Sequence, residues 1–112
     1  MRSALKTFAL TIALCSVLFT LGVARAQTPP ADATLTANPV YEKNCAKCHG
    51  KTAEGRHFGG PSLISEKTAA TSADDLRNII ANGKGHMPKF TGKLAPEEID
   101  TLTKQIQSLN KK

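Results

Sequence analysis

Residues 45–49 read Cys-Ala-Lys-Cys-His, a C-x-x-C-H run, and no other stretch of the chain restricts its fold as much. Positions three apart share one face of a helical turn. From that face two sulfurs can reach two vinyl groups on one haem edge and bond to them as thioethers, which is the chemistry this short motif serves. His49 follows directly, with its imidazole directed at the iron from the same side, so it is read as the proximal ligand. A chain stapled in this way has to build its interior around the porphyrin.

Other chemistries use a C-x-x-C pair. A thioredoxin-like dithiol sits at a strand-to-helix turn, and no alternating β-branched run precedes Cys45. A structural zinc site needs four ligands, yet the chain has no cysteine after Cys48, and His49, His57 and His86 stand at irregular spacing. A Cys45–Cys48 disulfide would close a very small loop and leave the adjoining histidine without a role. Haem attachment accounts for all five residues.

The N-terminus has the form of an export signal. Arg2 and Lys6 supply a positive start, Thr7 to Ala24 is nearly all apolar or small, and Ala24-Arg25-Ala26 has the A-x-A pattern of a cleavage site. Cys15, preceded by Leu14, is read as part of that signal. The apolar run approaches the minimum for spanning a bilayer, so retention as a membrane anchor is the alternative to cleavage.

Cleavage after residue 26 leaves 86 residues, too few for two domains and near the size at which a core alone is marginal. A bonded haem would supply the missing apolar volume. The formal charge of +6 falls to +3 once the signal's three basic residues are gone, with 12 basic and 9 acidic side chains left. One tyrosine, four phenylalanines and no tryptophan give no stacking platform along a basic stripe, which argues against a nucleic-acid partner.

Residues 27–37, with Pro29-Pro30 and then small and Thr-rich residues, read as a flexible linker, and 38–112 as one domain. Asn38-Pro39 reads as an N-cap and first helical residue, opening a helix through Val40, Tyr41 and Asn44 into the motif, with Gly50 as its stop. Lys51 to Leu63 reads as a glycine-rich loop. Ser72 with Asp75, then Leu76, Ile79 and Ile80, predicts a second helix ended by Asn82-Gly83. Pro96 opens the last, with Glu97 and Glu98 in its first turn and Ile99, Leu102, Ile106 and Leu109 repeating on one face. Ala95 is a poor cap, so fraying is expected there.

With these features the chain, from about residue 38 to 110, resembles the small class I cytochromes c. The resemblance implies an all-α fold, the cytochrome c fold, in which three or more short helices wrap one covalently attached haem c held by Cys45 and Cys48. It implies a last helix packed across the first, with Tyr41 meeting Leu102 or Ile106. Gly60-Pro61-Ser62-Leu63 matches the family's Gly-Pro-x-Leu segment, and Pro61 would accept a hydrogen bond from the far nitrogen of His49, fixing its tautomer. Met87, in Gly85-His86-Met87-Pro88, matches the sixth ligand. Methionine is more often core packing than a ligand, but this one lies among Gly83, Gly85 and Pro88, in a loop fit for close approach. His86 is the rival, and neighbours in sequence usually point apart.

Unlike larger relatives the chain has no tryptophan to offer a haem propionate, leaving Arg56, His57, Asn82 and Lys89 as candidates. Iron gripped on both faces has no place for substrate, so the implied function is one-electron transfer by a soluble periplasmic monomer, with no catalytic residue. The implied partners are redox protein donors and acceptors such as a terminal oxidase or a dehydrogenase. Membrane contact would come only through a partner or an uncleaved signal. Lys84, Lys89 and Lys93 around Met87, with Lys47 and Lys51 at the thioether edge, form a ring that would steer acidic partners or simply solubilise the surface. The alternatives are a haem-bearing subunit of a dedicated dehydrogenase or oxidase and, more distantly, a ligand-binding haem enzyme or sensor.

Overall fold

Asn38 does at the start of the first helix what its sequence position predicts: its side-chain oxygen accepts from the Val40 N–H at 2.9 Å, with Pro39 in the first turn. In the computed structural model, which describes residues 34–111, this opens α1 (Pro39–Asn44), followed by α2 (Ala46–His49), α3 (Glu66–Ala69), α4 (Ala73–Asn82) and α5 (Pro96–Leu109). A 3-10 turn, Leu35–Ala37, precedes α1. The described residues contain no strand, only two isolated β-bridges. The signal reading of residues 1–26 and most of the linker reading lie outside the described residues.

Four features differ from the sequence expectation. The packed unit begins earlier than Asn38: Leu35, assigned to the linker, is fully buried, because one apolar side chain in the 3-10 turn packs beneath α5. The motif helix is broken at Cys45, whose φ of −117° separates α1 from α2. The start of α5 is closed despite Ala95, because the Glu98 carboxylate reaches back to accept the Ala95 N–H at 2.8 Å. The reading also passed over α3, which is capped by the Ser65 side chain accepting from Thr68 N–H.

α4 is capped as predicted, with Ser72 accepting from Asp75 N–H at 3.1 Å and donating to its carboxylate at 2.7 Å. It ends at Gly83, where φ is +76° and a Cβ would lie 2.4 Å from the Met87 carbonyl oxygen, so only glycine fits. α5 packs on α4 and on the 3-10 turn. Its buried stripe of Ile99, Leu102 and Ile106 joins Leu76 and Ile80 of α4, Tyr41 of α1, Leu35, Ala46, Ala53 and Phe90 in one core. Arg77 of α4 bridges Asp100 of α5 and Asp74 of its own helix on the outside of that contact.

The loops are tied to the helices. Asn110, at the end of α5, donates to the Leu63 carbonyl at 2.9 Å and so holds the loop that follows the motif. Phe90 and Thr91 donate their N–H groups to carbonyls at the end of α4, and the Thr91 hydroxyl adds a 2.7 Å bond to Ala81. The Met87 loop is thereby fixed at both ends. No helix among the described residues is long and apolar enough to cross a membrane.

Candidate haem site

The attachment motif occupies a single helical turn. The N–H groups of Cys48 and His49 both donate to the Cys45 carbonyl, at 3.1 and 2.9 Å, and Cys45 N–H continues α1 by donating to Tyr41 at 2.8 Å. Cys45 and Cys48 are free thiols one turn apart, Cys45 half-buried and Cys48 exposed. Burial, and then the neighbouring Cys48, pushes the Cys45 thiol up to about 11.

His49 is buried, and its Nδ1 lies 2.8 Å from the Pro61 carbonyl oxygen. A carbonyl can only accept, so Nδ1 carries the proton and Nε2 is left with a lone pair suited to a metal. The backbone at Gly60 lies against the ring: a Cβ there would stand 2.6 Å from Cε1 and 2.7 Å from Nδ1 of His49. Gly60 N–H in turn donates to the Cys48 carbonyl at 2.7 Å, and Gly55 N–H to that of His49 at 2.8 Å. The loop of residues 51–63 thus grips the attachment turn by its backbone and holds the imidazole by one face and one edge.

Met87 is half-buried on the rim of the core, as is Cys45. The Lys84 and Met87 backbones exchange hydrogen bonds at 3.2 and 3.0 Å, closing a tight turn around Gly85 and His86. Of the two rival residues, His86 is exposed at the tip and Met87 is turned against the apolar interior. Among the propionate candidates, Arg56 donates from Nη1 to the Lys47 carbonyl at 2.9 Å, His57 stacks edge-on against Phe58, and Asn82 binds Asn78 of its own helix. An open groove of about 300 Å³ between α1 and the turn before α5, lined by Val40, Lys43, Asn44 and Leu94 among others, includes neither His49 nor Met87.

This donor set fits a haem: two thiols on one turn, an imidazole locked in the Nε2-ligating tautomer, and a thioether on a pinned loop. It does not fit zinc. Among the described residues no group of three or more His, Cys, Asp or Glu side chains is placed to hold a metal ion. Sequence reasoning singled out these residues as candidates but did not anticipate the contact of Gly60 with the imidazole, whose only signal was the Gly59-Gly60 pair before Pro61.

Comparison with known proteins gives the same reading. The profile of the family described as cytochrome C oxidase, cbb3-type, subunit III matches residues 32–104. The chain is 31% identical to cytochrome c6 of Nostoc sp., over 90% of each protein. It is 33% identical to the cbb3-type cytochrome c oxidase subunit FixPc of Rhizobium leguminosarum, where the match covers 62% of this chain and only 25% of that subunit. Among solved structures, the KustC0563 c-type cytochrome superposes with a TM-score of 0.57 at 26% identity, covering 64% of this chain and 94% of that one.

Proposed function

Because the chain belongs to the family of c-type cytochromes described as cbb3-type oxidase subunit III, we infer that Cys45 and Cys48 carry its haem c and that His49 and Met87 ligate the iron. The protein is an electron carrier, not an enzyme, and works with a redox partner. The haem, when bound, supplies a reversible one-electron change at its iron. The protein's residues do the rest.

The observation that carries the assignment is the 2.8 Å hydrogen bond from His49 Nδ1 to Pro61, backed by Gly60 against the ring. It fixes the ligating nitrogen before any metal binds and raises its basicity. The half-buried position of Met87 on a loop tied to α4 supports it over the exposed His86. A soft thioether sulfur from Met87 would favour the ferrous state of a bound iron, and the hydrogen-bonded loops that carry His49 and Met87 would limit reorganisation around it.

The signal-like residues 1–26 support export and a periplasmic location, with the haem domain as the soluble remainder. The alternative of a fixed oxidase subunit draws on the family description and on the FixPc similarity. Purification separates the two: a free carrier elutes alone, whereas a dedicated subunit stays with its complex at fixed stoichiometry.

The ligand assignment is tested by the absorption spectrum of the purified ferric protein and its Met87→Ala variant. The parent should show the weak near-infrared sulfur-to-iron band and resist carbon monoxide when reduced, and Met87→Ala should lose the band and bind carbon monoxide. A parent without that band, or one that binds carbon monoxide rapidly, would remove Met87 from the iron.

A further inference from the structure

Phe58 is wholly exposed, whereas the only other large apolar side chain left open among the described residues, Ile64, is 45% exposed. It stands at the tip of a turn closed by Gly59 N–H donating to Arg56 at 3.0 Å and Arg56 N–H donating to Gly60 at 3.1 Å. That turn is pinned to the attachment helix at two points, Gly60 N–H to the Cys48 carbonyl and Arg56 Nη1 to the Lys47 carbonyl. His57 meets the Phe58 ring edge-on, with centroids 4.8 Å apart and planes at 83°. An aromatic side chain is thus held out into water, beside the exposed Cys48, by a backbone with few ways to withdraw it. Among the described residues the ring takes no part in the core.

The segment that carries it is cationic. Between residues 45 and 63 the exposed charges are Lys47, Lys51 and Arg56 against Glu54 alone, whose carboxylate accepts from the Thr52 hydroxyl at 3.2 Å. A pre-positioned aromatic ring with few rotatable bonds, on a segment whose exposed charges are mostly positive, has the composition of an interface anchor.

We propose that Phe58 is the apolar anchor of the electron-transfer docking surface, seating in an apolar socket on an acidic redox protein whose carboxylates face Lys47, Lys51 and Arg56. This rests on the electron-carrier reading and adds the partner's chemistry to it. The charged groups set the encounter rate, and the ring sets how long the partner stays against the attachment edge.

The test compares haem-loaded parent, Phe58→Ser and Phe58→Leu as reductants of two oxidants. One is hexacyanoferrate(III), too small to offer a socket; the other is a blue-copper protein whose apolar patch is rimmed by carboxylates. Phe58→Ser should slow oxidation by the copper protein about tenfold, with Phe58→Leu restoring most of the rate. Hexacyanoferrate rates and the visible spectrum should stay as in the parent. Unchanged rates with the copper protein would overturn the proposal. So would slowing with both oxidants together with a shifted spectrum, because the ring would then be packing on the porphyrin, and so would a parent dimer that Phe58→Ser dissociates. A haem-loaded parent that reduces neither oxidant would defeat the carrier reading itself, which is a distinct failure.

Discussion

The side-chain amide of Asn38 joins the first helix to the last: its nitrogen donates at 2.8 Å to Gln105 Oε1, 67 positions away, while its oxygen caps α1 through Val40 N–H. Both residues are buried. One small side chain therefore closes a helix end and fixes where α5 lies against it, which a serine at the cap is too short to do.

Replacing Asn38 should be costly for that reason. Asn38→Ala loses the cap and a buried hydrogen bond, and should lower the unfolding free energy of the haem-loaded protein by roughly 2–3 kcal/mol. Asn38→Ser keeps a capping oxygen but is too short for Gln105, and should recover about 1 kcal/mol of that. Denaturant titration followed by far-ultraviolet circular dichroism measures both. Equal losses in the two variants would mean that the link to α5 carries the whole effect.

The second prediction concerns Gly60. A methyl group there would meet the His49 ring at 2.6 Å, and the ring cannot yield without lengthening its bond to Pro61. Gly60→Ala should destabilise the haem-loaded protein by about 1–3 kcal/mol through overpacking and, with His49 as the proposed ligand, shift its reduction potential because the imidazole is re-aimed. Redox titration and thermal melting give the two readouts. A normal potential in Gly60→Ala would show that the ring is held by Pro61 alone.

Much of this was legible in advance because the signals are local. The attachment turn, the Asn38 and Ser72 caps, the glycine stops at 50 and 83 and the stripe of α5 each depend on residues within a few positions of one another. What escaped depends on partners far away in sequence. Leu35 looked like linker because its neighbours are small and polar, and only α5 gives it a reason to be buried. The second bond of Asn38 needed Gln105, and the contact of Gly60 with His49 needed the loop path. The Glu98 closure at Ala95 was local and could have been read as half a capping box. The resemblance supplied Pro61 and Met87, which spacing alone could not single out.

Tyr41 predicts how stability responds to alkali. Burial, and then the nearby Cys45, pushes its hydroxyl up to about 12, and that hydroxyl donates a 2.6 Å bond to the Gly50 carbonyl. In the unfolded chain it ionises near its ordinary value of about 10. Between those limits the folded state holds the proton more tightly, so stability is intact below about pH 10 and falls as pH rises toward 12. Tyr41→Phe should be less stable at neutral pH by about 1 kcal/mol and should lack this share of the alkaline slope. Urea midpoints from pH 8 to 12 for both proteins provide the comparison. Parallel curves would place the tyrosine proton outside the folding equilibrium.

Loss of the haem should be the most damaging change. The described core is ten buried apolar residues, two of them alanines, and α2 and α3 are each four residues long, too short to hold together without tertiary support. Among the described residues nothing else offsets this, because no disulfide joins Cys45 to Cys48 and no cation site stands ready. A Cys45→Ala, Cys48→Ala double variant, produced without thioether attachment, should therefore melt without a cooperative transition and lose a large part of its helical signal. Single Cys48→Ala, able to form one thioether at most, should fall between this and the parent in both helicity and melting temperature. Circular dichroism melts of the three proteins, with haem content measured alongside, decide the point: native helicity and a sharp melt in the double variant would mean that the polypeptide core suffices alone.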